Sequence, residues 1–198
     1  MSWSPEVELR GEHAWLVPLR PEHAAALAEA SAEGELWRIW YTNVPKPEDM
    51  TGEIDKRLAK QAAGNCLPFA AIDPATGLAV GMTCYWNLDA EAKRVEIGAT
   101  WYRRSVQRSP LNTECKRMLL GHAFETLDCI AVEFRTHFLN QQSRRAIERL
   151  GARLDGVLRN HIRDKNGDLR DTCVYSIIAS EWPAVRTHLD WQLAKPRE

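Results

Sequence analysis

The sequence predicts an α/β fold: one mixed, mostly antiparallel sheet with a single parallel crossover near its centre. Three observations carry that expectation. Residues 96–151 twice repeat one arrangement, an apolar strand, a short polar turn and a helix start. The segments before them read as hairpins, with Pro, Gly, Asn and Asp at the bends. No Pro- or Gly-rich linker divides the 198 residues, so residues 1–198 are expected to form one domain.

Residues 7–19 are expected to form the first strand, broken by a turn at Gly11-Glu12-His13. Arg20-Pro21-Glu22-His23 then opens an alanine-rich helix to Ala32. Proline suits an early helical position, where its missing N–H would have no partner. Leu36-Trp37-Arg38-Ile39-Trp40-Tyr41 is dense in aromatics, and a proline break precedes a polar helix over residues 51–63. Antiparallel strands are expected over residues 67–72, 79–86 and 94–102.

The crossover helix follows. Leu111, Cys115, Met118, Leu119, Ala123 and Leu127 recur at the spacing of a buried helical face. Ser109 is placed at its N-cap and Pro110 at the first helical position. Residues 131–138 supply the next strand, which a helical connection returns parallel and adjacent. Asn140 caps a second helix, with Ser143, Ala146, Ile147 and Leu150 on one face. Strands over residues 156–162 and 172–179 flank an Asn166-Gly167 hairpin, and Trp182-Pro183 begins a last helix.

Both crossover helices start at one edge of the sheet. A helix start offers unpaired N–H groups and partial positive charge, which suit a phosphate. Gln107, Arg108 and the N–H groups near Leu111 and Asn112 can hold a pyrophosphate there. The chain's net charge is -1, which argues against a nucleic-acid partner. Local anion binding is still expected, because residues 103–113 hold three arginines and no acid.

The five cysteines form no C-x-x-C pair, which excludes a zinc knuckle or a disulfide framework, and no metal is expected. No secretory start and no apolar run near the ~20 residues of a membrane span occur, so a cytoplasmic protein without a membrane partner is expected. The absence of G-x-G-x-x-G, G-x-x-x-x-G-K-[ST] and G-x-S-x-G removes dinucleotide, P-loop and α/β-hydrolase readings.

These residues resemble the GNAT (Gcn5-related) N-acetyltransferases, in the branch of the RimJ/RimL ribosomal-protein N-terminal acetyltransferases. The family's Q/R-x-x-G-x-G/A signature is met at Gln107, while Pro110 and Asn112 stand at its two small positions. Pro110 cannot donate an N–H there. Asn112-Thr113-Glu114-x-Lys116 and His122-Ala123-Phe124-Glu125 look like the helix of that branch. Asn140-x-x-Ser143-x-x-Ala146-Ile147-x-x-x-Gly151-Ala152 looks like the family's second cofactor motif.

The resemblance implies acetyl-CoA as donor, its pantetheine lying between splayed ends of the two parallel strands. The backbone of Thr100, Trp101 and Tyr102 would pair with it like an added strand. Gln107, Arg108, Ser109, Leu111, Asn112 and Thr113, with Asn140, Ser143 and Arg144 on the second helix, would complete the CoA site. Alternation puts Val95, Ile97, Ala99 and Trp101 on one face of the strand and Glu96, Gly98, Thr100 and Tyr102 on the other, so Glu96 is the candidate base, although it could instead pair with a basic neighbour. Ser143 is the proton donor by resemblance. Gly98 hints at a bulge or a close backbone approach.

Trp37, Trp40 and Tyr41 lie where the family builds its acceptor cleft, with core packing as the competing expectation for the tryptophans. His122 and His137 are set aside as structural. The expected acceptor is a small-molecule amine or a protein N-terminus, and a homodimer stays open. The rival classes are a non-catalytic CoA-binding sensor or scaffold and an RNA-associated protein.

Overall fold

The computed structural model describes residues 3–195. One eight-stranded sheet runs β1 (Leu9–Arg10), β2 (Trp15–Pro18), β3 (Cys66–Ile72), β4 (Ala79–Asp89), β5 (Arg94–Tyr102), β6 (Ala131–His137), β8 (Leu169–Ile178) and β7 (Arg153–Arg163). α1 (Ala24–Ala32) and α2 (Met50–Ala62) cover one face. α3 (Leu111–Gly121) and α5 (Trp182–Ala194) cover the other, and α4 (Gln141–Glu148) follows β6. All neighbouring strands are antiparallel except β5 and β6.

Side-chain alternation divides the core in two. Phe69, Tyr85, Val95, Ile97, Val132, Phe134, Tyr175 and Ile177 pack beneath α3 and α5. Ala70, Met82 and Trp101 pack beneath Leu27, Met50 and Ile54 of α1 and α2. Among the described residues no helix is long and apolar enough to cross a membrane.

Several expected boundaries shift. The first strand is two short ones, because Gly11–Ala14 forms a tight turn. Its Glu12, His13 and Ala14 N–H groups donate to the buried Glu114 carboxylate at 3.0, 2.6 and 2.7 Å. Gly11 is required there, since a Cβ would sit inside that carboxylate. A 3-10 turn, Pro21–His23, precedes α1. α3 begins at Leu111 with Pro110 as the capping position, one residue after the expected cap, Ser109. Its Oγ still accepts the Leu111 N–H at 3.3 Å, the bond a capping serine makes, and Pro110 has helical φ and ψ. Met118 is only partly buried within the expected stripe, and α3 ends in a π-helical turn, His122–Thr126. β7 and β8 begin earlier than expected, at Arg153 and Leu169.

The alternation expected along β5 also fails. It grouped Val95, Ile97, Ala99 and Trp101 on one face. The β4–β5 register slips between Cys84–Gly98 and Met82–Trp101, and Ala99 has φ of 48°. That bulge reverses the faces, so Tyr102 joins Val95 and Ile97 while Trp101 crosses to the other core.

Candidate active site

β5 and β6 pair only at Arg94–Ala131, Val95–Val132 and Glu96–Glu133. Beyond Glu96, β5 runs on to Tyr102 without β6, and β6 runs on to His137 paired with β8 alone. The two strands therefore open at Glu96. The bulge at Ala99 lies on the open part of β5. α3 and α4 start just past the two strand ends.

Glu96 shares its face with Arg135 and His137 of β6 and Arg170 of β8, all opposite the α3 core by strand alternation. Its carboxylate accepts from Asn87 Nδ2 at 2.7 Å and lies 3.6 Å from Arg135 Nε. Burial pushes its pKa above the usual carboxylate range, with Arg135 and Asn87 partly opposing that rise. Its Oε1 folds over Gly98, where a Cβ would approach to 2.9 Å. Of the two expectations for Gly98 the structure shows the bulge, which begins just after it at Ala99, and the group lying over Gly98 is a side chain, the Glu96 carboxylate. Arg135 is steadied by Glu133 at 3.0 Å, and Glu133 also holds Arg94 at 2.7 Å.

The aromatic segment reaches this face from a distance in sequence. Glu33 at the end of α1 accepts from the Arg103 guanidinium, and from the Ser105 N–H at 2.6 Å. Lys165 of the β7–β8 hairpin donates to the Trp37 and Ile39 carbonyls at 3.2 and 3.1 Å. Trp40 meets His137 edge to face at 5.2 Å and Tyr41 at 5.3 Å. Trp40 is 45% exposed, and only Leu36 of this segment enters the core. Core packing of Trp37 and Trp40 is thus not what the fold does with them. Arg38 and Lys46 lie over the Trp37 ring.

Trp40→Ala is accordingly expected to leave the fold intact, costing less than the ~3–5 kcal/mol of a buried Trp. A melting scan checks this.

At the start of α3, the first helical bond is Glu114 N–H to Pro110 O at 3.0 Å. The Asn112 and Thr113 N–H groups precede it in the turn where a helix has no internal acceptors. Gln107 turns its amide onto the Tyr102 carbonyl at 2.9 Å, and the Thr113 hydroxyl accepts from Arg149 at 3.1 Å. Arg108 is exposed, with φ of 66°. Asn140 caps α4 through the Ser143 N–H at 3.0 Å. Arg144 donates to the Tyr175 hydroxyl at 2.9 Å and to the Phe138 carbonyl at 3.4 Å.

Sequence reasoning missed Arg135 and Arg170 and set His137 aside. Arg135 and His137 were legible from alternation with Val132 and Phe134. His137 Nδ1 accepts the Leu139 N–H at 3.0 Å, and burial beside the Arg170 cation lowers its pKa. The ring is then neutral near pH 7 and carries its proton on Nε2. Arg170 lies just past the hairpin that joins β7 to β8, and nothing in its own stretch of sequence marks it.

Residues 13–153 match the acetyltransferase (GNAT) domain family. Over 106 residues the chain is 31% identical to YdaF of Bacillus subtilis (strain 168), described as a ribosomal N-acetyltransferase. That match covers 54% of this chain and 57% of YdaF, a little over half of each. A GCN5-related N-acetyltransferase from Brucella melitensis superposes with a TM-score of 0.84 at 29% identity, over 96% of this chain and 87% of that one. An acetyltransferase from T. thermophilus gives 0.83 at 31% identity, over 96% and 98%. In fold the chain is also similar to Mycobacterium smegmatis RimJ in complex with CoA-disulfide, with a TM-score of 0.76 at 22% identity over 90% and 88%. The family match spans well over half of the residues, and the superpositions extend over nearly the whole chain. The chain belongs to the GNAT acetyltransferase family, a family of N-acyltransferase enzymes.

Proposed function

We propose that this protein is an acetyl-CoA-dependent N-acetyltransferase whose acceptor is a primary amine, the α-amino group of a peptide or protein foremost. One observation carries the reading: β5 and β6 part at Glu96, leaving an unpaired strand edge beside a partly buried carboxylate. The residues fit the cofactor. The β5 edge beyond Glu96 has no strand partner for its outward amides, and the first turn of α3 offers N–H groups past its end. Likeness to YdaF and RimJ supports both CoA and a ribosomal-protein type of acceptor. It supports the cytoplasm as the compartment too, with residues 1–198 acting as one domain.

Bound acetyl-CoA would supply the activated acetyl group as a thioester. Glu96 takes the proton that the amine loses, directly or through a water, as nitrogen bonds to the carbonyl carbon. Ser143 would supply the proton that the departing CoA sulfur needs. Thr100, Trp101 and Tyr102 align the donor by backbone pairing. Arg108, Asn112 and Thr113 at α3, with Arg144 at α4, hold phosphate oxygens through charge-assisted and backbone donors. Trp37, Trp40 and Tyr41 hold the acceptor, because aromatic rings bury area and attract ammonium groups.

Calorimetry tests the donor half. Arg108→Glu is expected to weaken CoA binding by on the order of 1–3 kcal/mol, the size of a charge-assisted contact. No CoA binding by the wild type would sink the reading. An acceptor panel tests the other half: Trp40→Ala should keep CoA affinity and lose activity unequally among amines. Uniform loss across the panel would remove Trp40 from the acceptor cleft.

A further inference from the structure

Lys116 is the group that the mechanism above leaves unused. It stands in the second turn of α3, is only 6% exposed, and points at the sheet rather than at solvent. Its Nζ donates to Thr100 Oγ1 at 2.7 Å and to Thr83 Oγ1 at 3.3 Å, two hydroxyls that lie 2.8 Å from each other. Thr100 adjoins the bulge residue Ala99 on the open part of β5. Thr83 lies on β4 within the stretch where the β4–β5 register slips. The amine is therefore bonded to both strands at the bulge, on the face opposite Glu96.

Among the described residues, no neighbour gives this lysine a counter-ion. From its own helix Cys115 faces it, its thiol pushed up to about 12 by burial. From β4 comes Cys84, whose thiol burial also holds neutral, with Arg57 approaching that sulfur at 3.0 Å. Glu53 is engaged by Arg57 at 2.8 Å. From β5 only the Thr100 hydroxyl reaches it. A buried cation without a carboxylate is costly, and an apolar side chain of similar length would serve packing better. Its presence is a cost to the fold that a role in the reaction would account for.

We propose that Lys116 is a positioning residue for acetyl transfer: through Thr100 it fixes the β5 bulge and sets a positive charge behind it. The inference rests on the acetyltransferase reading of the site. Negative charge develops on the thioester oxygen as the amine attacks, and fixed dipoles and charges in a site shielded from water stabilise it. Lys116 acts on that oxygen through the bulge backbone and by its field, without touching substrate. Burial lowers its pKa to about 8, so the ammonium form prevails at neutral pH and is lost as pH rises through that value.

Lys116→Met and Thr100→Val test this. Met keeps the length, and the two threonine hydroxyls can still bond each other. Lys116→Met is expected to melt no lower than the wild type at pH 7 and to bind CoA within about threefold by calorimetry. Its kcat should fall by roughly 10–100-fold with the amine KM unchanged, the range of one lost electrostatic donor or somewhat less. The wild-type kcat should decline above about pH 8 while the variant shows no decline there. The double variant should lose no more than Lys116→Met alone, because Thr100 carries the effect.

The free protein gives a readout apart from turnover: one lysine resonance, missing in Lys116→Met, should titrate near 8 in an NMR titration. In the folded state this lysine binds fewer protons than in the unfolded chain between about 8 and the ordinary ~10.4. Wild-type stability should therefore rise relative to the variant across that window. A wild type that binds CoA and turns over while Lys116→Met retains kcat would overturn the role of Lys116 alone. Equal losses in melting temperature, CoA affinity and kcat would reduce it to a packing residue. A wild type without CoA affinity would overturn the acetyltransferase reading and this inference with it.

Discussion

Glu96→Gln is expected to lower kcat by about 10²–10⁴-fold while leaving CoA affinity near that of the wild type. The substitution keeps the side chain over Gly98 and its hydrogen bond to Asn87, but removes the charge that takes a proton. The pH dependence sharpens the test. Burial raises the Glu96 pKa, so the ionised base is lost as pH falls through a value above the ordinary carboxylate range. The wild-type rate should therefore drop on its acid side earlier than an exposed glutamate would allow, and the variant should lack that drop.

Stability follows the opposite sign. A carboxyl with a raised folded pKa costs stability once pH exceeds that value, because the fold favours its neutral form. Glu96→Gln should thus melt no lower than the wild type at pH 7. A variant with full activity would show that another group receives the proton.

The second large effect concerns Glu114, which lies outside the proposed chemistry. Its buried carboxylate accepts three N–H groups of the Gly11–Ala14 turn, at 2.6 to 3.0 Å. Glu114→Ala leaves those donors without an acceptor and opens a cavity between the β1–β2 turn and α3. The expected loss is about 3–5 kcal/mol, from donors whose desolvation costs about 1–3 kcal/mol each when buried. For a chain of this size that is a fall of roughly 6–20 °C in melting temperature. Glu114 also anchors the first turn of α3, so CoA affinity should weaken in parallel. Thermal unfolding of Glu114→Ala within a few degrees of the wild type would show that the turn holds itself.

Glu114 illustrates how far a sequence can be read. A glutamate three residues into a helix suggests a capping role or a solvated face, since local propensity sees only near neighbours. Its partners lie about a hundred residues away, and no periodicity links them. The β5 bulge is a second case. Alternation from Val95 to Tyr102 looked regular, yet a slip against β4 at Ala99 reversed it. Bulges are set by two strands together, so one strand's pattern cannot disclose them. The α3 start moved by a single residue, although Ser109 still bonds the Leu111 N–H as a cap would.

The opening of the two strands beside Glu96 was implied by the family resemblance, and what the sequence determined by itself was the order of elements, the parallel crossover and the paired helix starts. These follow from periodicity, turn chemistry and connection length, which are properties of short stretches. What only the tertiary structure decided was the far wall of the site. Trp40 from the α1–α2 segment, His137 from β6 and Lys165 from the β7–β8 hairpin meet on one sheet face. Lys116, from the other face, reaches Thr100 behind the bulge. Such meetings depend on sheet order and register, which arise from the joint burial of eight strands. No local stretch of chain holds that information.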